Sequence, residues 1–452
     1  MGRMSLLSGV LLAGAAALAA AGCGGDDATS SGGEGGDDAA ASGGEAGEDA
    51  AASGGEGGEG NIPAAESAVL SPTAGIERSE PAADAPVGEL AAGLNDAGFA
   101  LLRTQPTEDN LVFSAASIGH ALLMARAAAD SPTGDAIDAA FGLPAGLAAH
   151  QAWNVTDHLL AATAQSEDEI TISIADRIWP RLDVTPDQAW IDLLVAEHGV
   201  STEALDFAGN PAGSRKVINQ WVDDQTQGLI PELLPEGFIK PDTVLVLTDA
   251  LYFKARWQTV FGKYQSVTDT FTRLDGSSTE VEFLRELELA DLRGEGDGFV
   301  GAEIPYVGGE LSMLLIVPDS GRFSEIRDSL GQELLDQIDA SFSTGPYELL
   351  MPMWTTNTQL DLLVWLTELG AAPGSYPGIT EDAFLAAAVH GADITVDEWG
   401  TVAAAATALG FEQSGPPEPE LTVKADRPFL YLIRHRPTGL VLFAGQVTDP
   451  NA

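Results

Sequence analysis

Apolar positions are spread unevenly along the 452 residues, and the unevenness divides the chain before any motif is considered. Leu6 to Ala21 is one apolar run behind Arg3, Gly24 to about Gly60 holds no aliphatic or aromatic residue larger than alanine, and Val87 to Pro450 has no second gap. Within the last stretch the period changes from place to place. Leu90 to Thr104 carries apolar residues at helical spacing, whereas Ile170 to Trp179 alternates as a strand does. Thr401, Ala403, Ala405, Thr407, Leu409 and Phe411 would share one face of an extended chain, and no charge falls between Trp399 and Phe411. Judged by residue type alone, the same stretch is an alanine-rich helix, because alanine favours helices and disfavours strands. Periodicity and propensity therefore predict opposite structures for Ala403, Ala404, Ala405 and Ala406.

The first apolar run ends in Ala20-Ala21-Gly22-Cys23 and is too short and too rich in small residues for a membrane span. Residues 1–22 resemble a bacterial lipoprotein signal with Cys23 as the lipidated first residue of the mature chain, although Ala20 stands where a larger aliphatic residue is usual. An ordinary secretory signal, with Cys23 incidental, is the alternative. The resemblance implies a protein exported to the cell surface or outer membrane of a bacterium and held there by its N-terminal lipid. Cys23 is the only cysteine, so no internal disulfide can form and packing must supply the stability. Residues 23–85, with their Ser-Gly-Gly-Glu repeats, are predicted to be a disordered acidic spacer, more proline-rich from Asn61 to Ala85. Residues 86–452 are predicted to form one folded domain.

The net charge of -47 is only partly due to the spacer. So acidic a domain makes nucleic acid a poor partner, and its surface suits a salty medium. The six histidines show neither His-Glu-x-x-His spacing nor a cysteine companion, which argues against a metal site. There is no Gly-x-Ser-x-Gly elbow, and the glycine-rich stretches lie in the spacer rather than in a phosphate-binding loop. The chain is predicted not to be an enzyme and to use no cofactor.

A series of motifs then points to one family. Asn110-Leu111-Val112-Phe113-Ser114-Ala115-Ala116-Ser117-Ile118 is followed by Ala175-Asp176, by Ile218-Asn219-Gln220-Trp221-Val222 and by Asp249-Ala250-Leu251-Tyr252-Phe253-Lys254-Ala255-Arg256-Trp257. Glu303-Ile304-Pro305-Tyr306, Leu311 to Pro318, Val396-Asp397-Glu398-Trp399-Gly400-Thr401, Ala425 to Tyr431 and Thr438 to Val447 complete it. In order and spacing these resemble the serpin family over nearly the whole of 86–452. Ala115 replaces the family's proline, and Asp249 stands where asparagine is usual.

The resemblance implies an α+β fold with a large central sheet, two smaller sheets, about nine helices and an exposed reactive loop. It also implies an inhibitor that is cut in that loop, keeps the protease as an acyl-enzyme, and inserts the loop into the central sheet. The alternative is a serpin-fold binding or structural module that does not inhibit. The hinge would comprise Glu398, Gly400, Thr401, Ala403, Ala404, Ala405, Ala406 and Thr407. Val402 stands where glutamate is common. The family's usual spacing puts the reactive bond at Ser414-Gly415, with Phe411-Glu412 as the alternative. No Lys or Arg lies between Trp399 and Thr422, so elastase-, subtilisin- or chymotrypsin-like proteases are implied rather than trypsin-like ones, with papain-like cysteine proteases also possible targets. Ser114, Ser117, Asp249, Trp257 and His390 would form the region where the sheet opens, and an Asp249–His390 pair would make opening depend on pH. The helix equivalent to a heparin-binding one, around His150 to Glu169, holds Asp157, Glu167, Asp168 and Glu169 and no Lys or Arg, so heparin is a poor ligand. A monomer is expected.

Overall fold

The computed structural model describes residues 65–166, 169–174, 176–262, 266–289, 291–385, 387–401 and 419–452. The signal, Cys23 and most of the spacer lie outside them. The fold is α+β, as expected, with nine α-helices among the described residues. Its sheets have seven, six and four strands, with a two-stranded ribbon beside them.

The six-stranded sheet matters most for function. Its central element, Leu245–Arg256, pairs in parallel with Ala388–Val396 on one side and antiparallel with Ile170–Ile174 and Arg177–Pro180 on the other. Ile174↔Leu251 and Arg177↔Thr248 keep one register in both segments, in line with the alternation from Ile170 to Trp179. Trp354–Asp361 closes the far edge against Ala388–Val396. In the seven-stranded sheet, all eight residues of Leu311–Pro318 are buried. That strand lies between Phe299–Pro305 and Phe429–His435, and its unbroken apolar run reflects cover on both faces.

Helices fill the space behind the six-stranded sheet. Every residue from Ala115 to Ala125 is buried, so the helix Ala115–Arg126 has no solvent stripe. Small residues let it approach Val87–Thr104 closely. A Cβ on Gly98 would lie 2.4 Å from the Ala115 Cβ, and one on Gly119 would lie 2.3 Å from Leu94 Cδ2.

The spacer boundary near residue 85 needs correction. Ser67–Leu70 is a strand paired antiparallel with Thr202–Leu205. Thr73 donates to Asp192 through its N–H and its hydroxyl, Arg78 pairs with Asp157 at 2.7 Å, and the Ser79 N–H donates to the Ala196 carbonyl at 2.7 Å. Low hydrophobicity misled here, because strand addition is held by main-chain hydrogen bonds and needs no bulky side chains.

Candidate functional site

The site lies at one end of the seam between Leu245–Arg256 and Ala388–Val396. Their recorded pairing runs from Ala388↔Leu247 to Ala392↔Leu251. Beyond it, among the described residues, a two-residue strand takes the place between them. Gly400 pairs with Arg256 and Thr401 with Ala255, and Thr401 also pairs with Val396. Gly400 and Thr401, two residues of the expected hinge, thus sit within the sheet.

Its seat is specific. The Asp397 Oδ1 accepts from the N–H groups of Trp399 at 2.8 Å and Gly400 at 3.0 Å, which fixes the tight turn. Burial raises the Asp397 pKa even though those two bonds oppose the shift. Trp257 holds the same turn from outside, its N–H donating to the Trp399 carbonyl at 2.8 Å and its indole Nε1 to the Asp397 carbonyl at 3.0 Å. The Glu398 carbonyl accepts from the Phe261 N–H at 3.0 Å. Tyr306 stacks on Trp257 with ring centroids 4.5 Å apart, and its hydroxyl meets Thr401 Oγ1 at 2.7 Å. Thr401 is 1% exposed. Gly400 is required by space, since a Cβ there would lie 2.1 Å from the Ala255 carbonyl oxygen.

Trp257 therefore belongs to the hinge seat rather than to a cluster with His390. Ser114 and His390 do come together, the Ser114 N–H donating to His390 Nε2 at 3.0 Å. Ser114 also caps its helix by accepting from the Ser117 N–H at 3.0 Å. Ser117 turns elsewhere, its hydroxyl donating to Asp176 Oδ1 at 2.9 Å. That carboxylate starts a buried chain that sequence reading missed. Asp176 Oδ2 meets His120 Nδ1 at 2.8 Å, His120 Nε2 meets His198 Nδ1 at 3.0 Å, and His198 Nε2 meets His150 Nδ1 at 2.8 Å. Burial pushes His120 and His198 well below the ordinary histidine range and His150 down to about 4. The signal available was His120 at one helical step beyond Ser117, but nothing in the sequence ties it to His198 or His150. Asp249 faces His390 in strand register, while its side chain lies outside the described residues.

Ala403, Ala404, Ala405, Ala406 and Thr407 lie outside the described residues, as do Phe411, Glu412, Ser414 and Gly415. The chain is described again from Pro419. Leu421–Lys424 then pairs in parallel with Tyr347–Pro352 in the four-stranded sheet. The two ends of the loop are thus rooted in different sheets. Among the described residues, no group of three His, Cys, Asp or Glu side chains is placed to hold a metal ion.

Comparison with known proteins gives the class. Residues 92–450 match the family model "Serpin (serine protease inhibitor)", and the chain belongs to this family. An uncharacterized serpin-like protein of Methanosarcina acetivorans is 30% identical, the match covering 80% of this chain and 86% of that one. Leukocyte elastase inhibitor A of Rattus norvegicus is 30% identical over 77% of this chain and 95% of its own. Among solved structures, the thermophilic serpin tengpin in its native state superposes with a TM-score of 0.73 at 22% identity, covering 83% of this chain and 97% of that one.

Proposed function

We propose that this chain is an inhibitory serpin that traps a serine protease, or a papain-like cysteine protease, as a covalent acyl-enzyme. One observation carries the reading: Gly400 and Thr401 already occupy the end of the seam between Leu245–Arg256 and Ala388–Val396. Cleavage near Ser414 frees the segment behind them. Residues Gly400 to Ser414 laid into the sheet span about 50 Å, enough to carry an attached protease far from its starting position. Roughly twenty new ladder hydrogen bonds at about 1 kcal/mol net supply on the order of 20 kcal/mol. A shift of about 1 Å in the protease nucleophile already costs roughly a hundredfold in rate, so deacylation stops.

A loop without Lys or Arg supports an elastase-, subtilisin- or chymotrypsin-like target, and the signal-like N-terminus supports attachment at a bacterial surface by a lipid on Cys23. The test is incubation with a panel of such proteases. An SDS-resistant adduct, a released fragment beginning at Gly415 and a rise in melting temperature of the cleaved protein are expected. Cleavage with neither adduct nor added heat stability would identify a binding module instead.

A further inference from the structure

The seam that would receive the loop is covered. Ile218 and Val222 of the helix Pro211–Gln225 share one buried cluster with Ile230, Leu233 and Leu234 and with Val246 and Val389 of the two seam strands. The cover fits closely, since a Cβ on Gly391 would lie 2.9 Å from Leu233 Cδ1. Gln359 Nε2 also donates to the Leu233 carbonyl, tying the cover to the edge strand. A strand inserted between Leu245–Arg256 and Ala388–Val396 must lift this layer before it can pass.

One side chain fastens the layer at its helix end. The Arg177 guanidinium carbon lies 4.8 Å from the ring centroid of Trp179 and 4.8 Å from that of Trp221. Trp179 belongs to the sheet, is fully buried and donates from its indole nitrogen to Thr248 Oγ1 at 2.9 Å. Trp221 belongs to the cover, and the two indoles meet edge to face at 5.5 Å. Arg177 is held in place by Nε donating to the Ser201 carbonyl at 3.1 Å, by Nη2 donating to Ser201 Oγ at 2.9 Å, and by Glu203 at 3.4 Å. An arginine wedged between two indoles and oriented by its remaining donors is a cation–π clamp, a contact that lysine reproduces poorly.

We propose that Arg177 is a positioning residue that latches the helix Pro211–Gln225 to the sheet through Trp221 and thereby sets the rate at which the cleaved loop inserts. This rests on the inhibitory reading above. Lifting the cover exposes Trp221 and breaks its contact with the cation, whereas the Arg177–Trp179 contact stays within the sheet. A weaker latch gives faster insertion, so a larger share of cleavage events ends in a trapped enzyme. It also brings faster spontaneous loss of activity on warming.

Two measurements on Arg177→Ala, Arg177→Lys and Trp221→Phe test this separately. Amide hydrogen exchange along Pro211–Gln225, which needs no protease, should speed about tenfold in Arg177→Ala, the size expected of one desolvated cation–π contact, and less in Arg177→Lys. The helix Leu147–Ser166 serves as the internal control, because a general loss of stability would speed both helices. Adduct formation with subtilisin and with elastase, sampled by quenched flow, should speed by a similar factor. Unchanged exchange in Arg177→Ala overturns the latch. Faster exchange with an unchanged rate of adduct formation overturns its role in insertion. If the parent protein itself forms no adduct, the inhibitory reading fails and the gating role falls with it, while the exchange data still report the latch alone.

Discussion

Two buried polar places lie close to the same sheet and are built in opposite ways. At the hinge, Thr401 and Tyr306 meet as neutral hydroxyls, and the Asp397 carboxylate is satisfied by backbone N–H groups. Behind the sheet, Asp176, His120, His198 and His150 form a hydrogen-bonded chain of ionisable side chains, and His120 stacks at 4.1 Å on the buried Trp153. Burial acts on both, raising Tyr306 and Asp397 and lowering the three histidines. The lesson is that shape governs the first place and ionisable groups the second. A seam that is to accept residue after residue, as proposed, suits small neutral groups.

The largest effect should come from putting charge where shape rules. Thr401→Arg would bury an unpaired guanidinium against Tyr306, at a cost of several kcal/mol. Cleavage of the loop should persist, and adduct should vanish on gels with any protease that the parent traps. Trapping by this variant at the parent's efficiency would show that Thr401 does not lead the insertion.

Acid should act on the other place. A histidine held neutral in the fold binds its proton only on unfolding, so between its depressed pKa and the ordinary value of about 6.5 the unfolded chain holds more protons and stability rises with pH. The contribution is complete above about pH 6.5 and is lost as pH falls toward about 4, where His150 titrates in the fold. Each group removes at most about 1.4 kcal/mol per pH unit, so His120, His150 and His198 together should remove on the order of 4–6 kcal/mol between pH 6.5 and 5. Urea titrations at those two pH values measure this, and His198→Gln should flatten the difference. Equal midpoints would mean that the chain of histidines carries no such load.

The surroundings of Gly400 and Thr401 follow a local sequence pattern and the histidine chain does not, for a physical reason. Gly400 and Thr401 are neighbours in a local pattern whose residue types limit what can fit beside them. Gly400 is required there by its close approach to Ala255. Tyr306 was visible within Glu303-Ile304-Pro305-Tyr306, but its contact joins residues 95 apart and only the folded sheet brings it to Thr401. The histidine chain joins 120, 150, 176 and 198 from three helical segments and a strand break, with no spacing to announce it. Likewise the strand Ser67–Leu70 depends on an edge supplied by Thr202–Leu205, far along the chain.

A smaller effect sharpens the hinge half of the contrast. Tyr306→Phe removes one buried hydroxyl contact and leaves Thr401 Oγ1 without this partner, while the stack on Trp257 is kept. The expected loss is about 1–2 kcal/mol. Trapping should survive, and amide exchange at Gly400 and Thr401 should speed roughly tenfold. Exchange at the parent rate would show that the backbone pairs alone hold the hinge.

The smallest effect belongs to the distal root of the loop, where charge sits at the surface. Glu420 pairs with Arg293 at 2.5 Å, but its side chain is 64% exposed. Water competes for it, and an exposed pair contributes roughly 0–1 kcal/mol. Leu421–Lys424 is held instead by its parallel ladder to Tyr347–Pro352, and Val423 is fully buried. Glu420→Gln should therefore leave both the melting temperature and the adduct yield within error of the parent, at low salt as well as high. A clear loss of adduct in this variant would mean that the distal root also feeds the seam, and the division between a shape-governed hinge and a passive anchor would have to be redrawn.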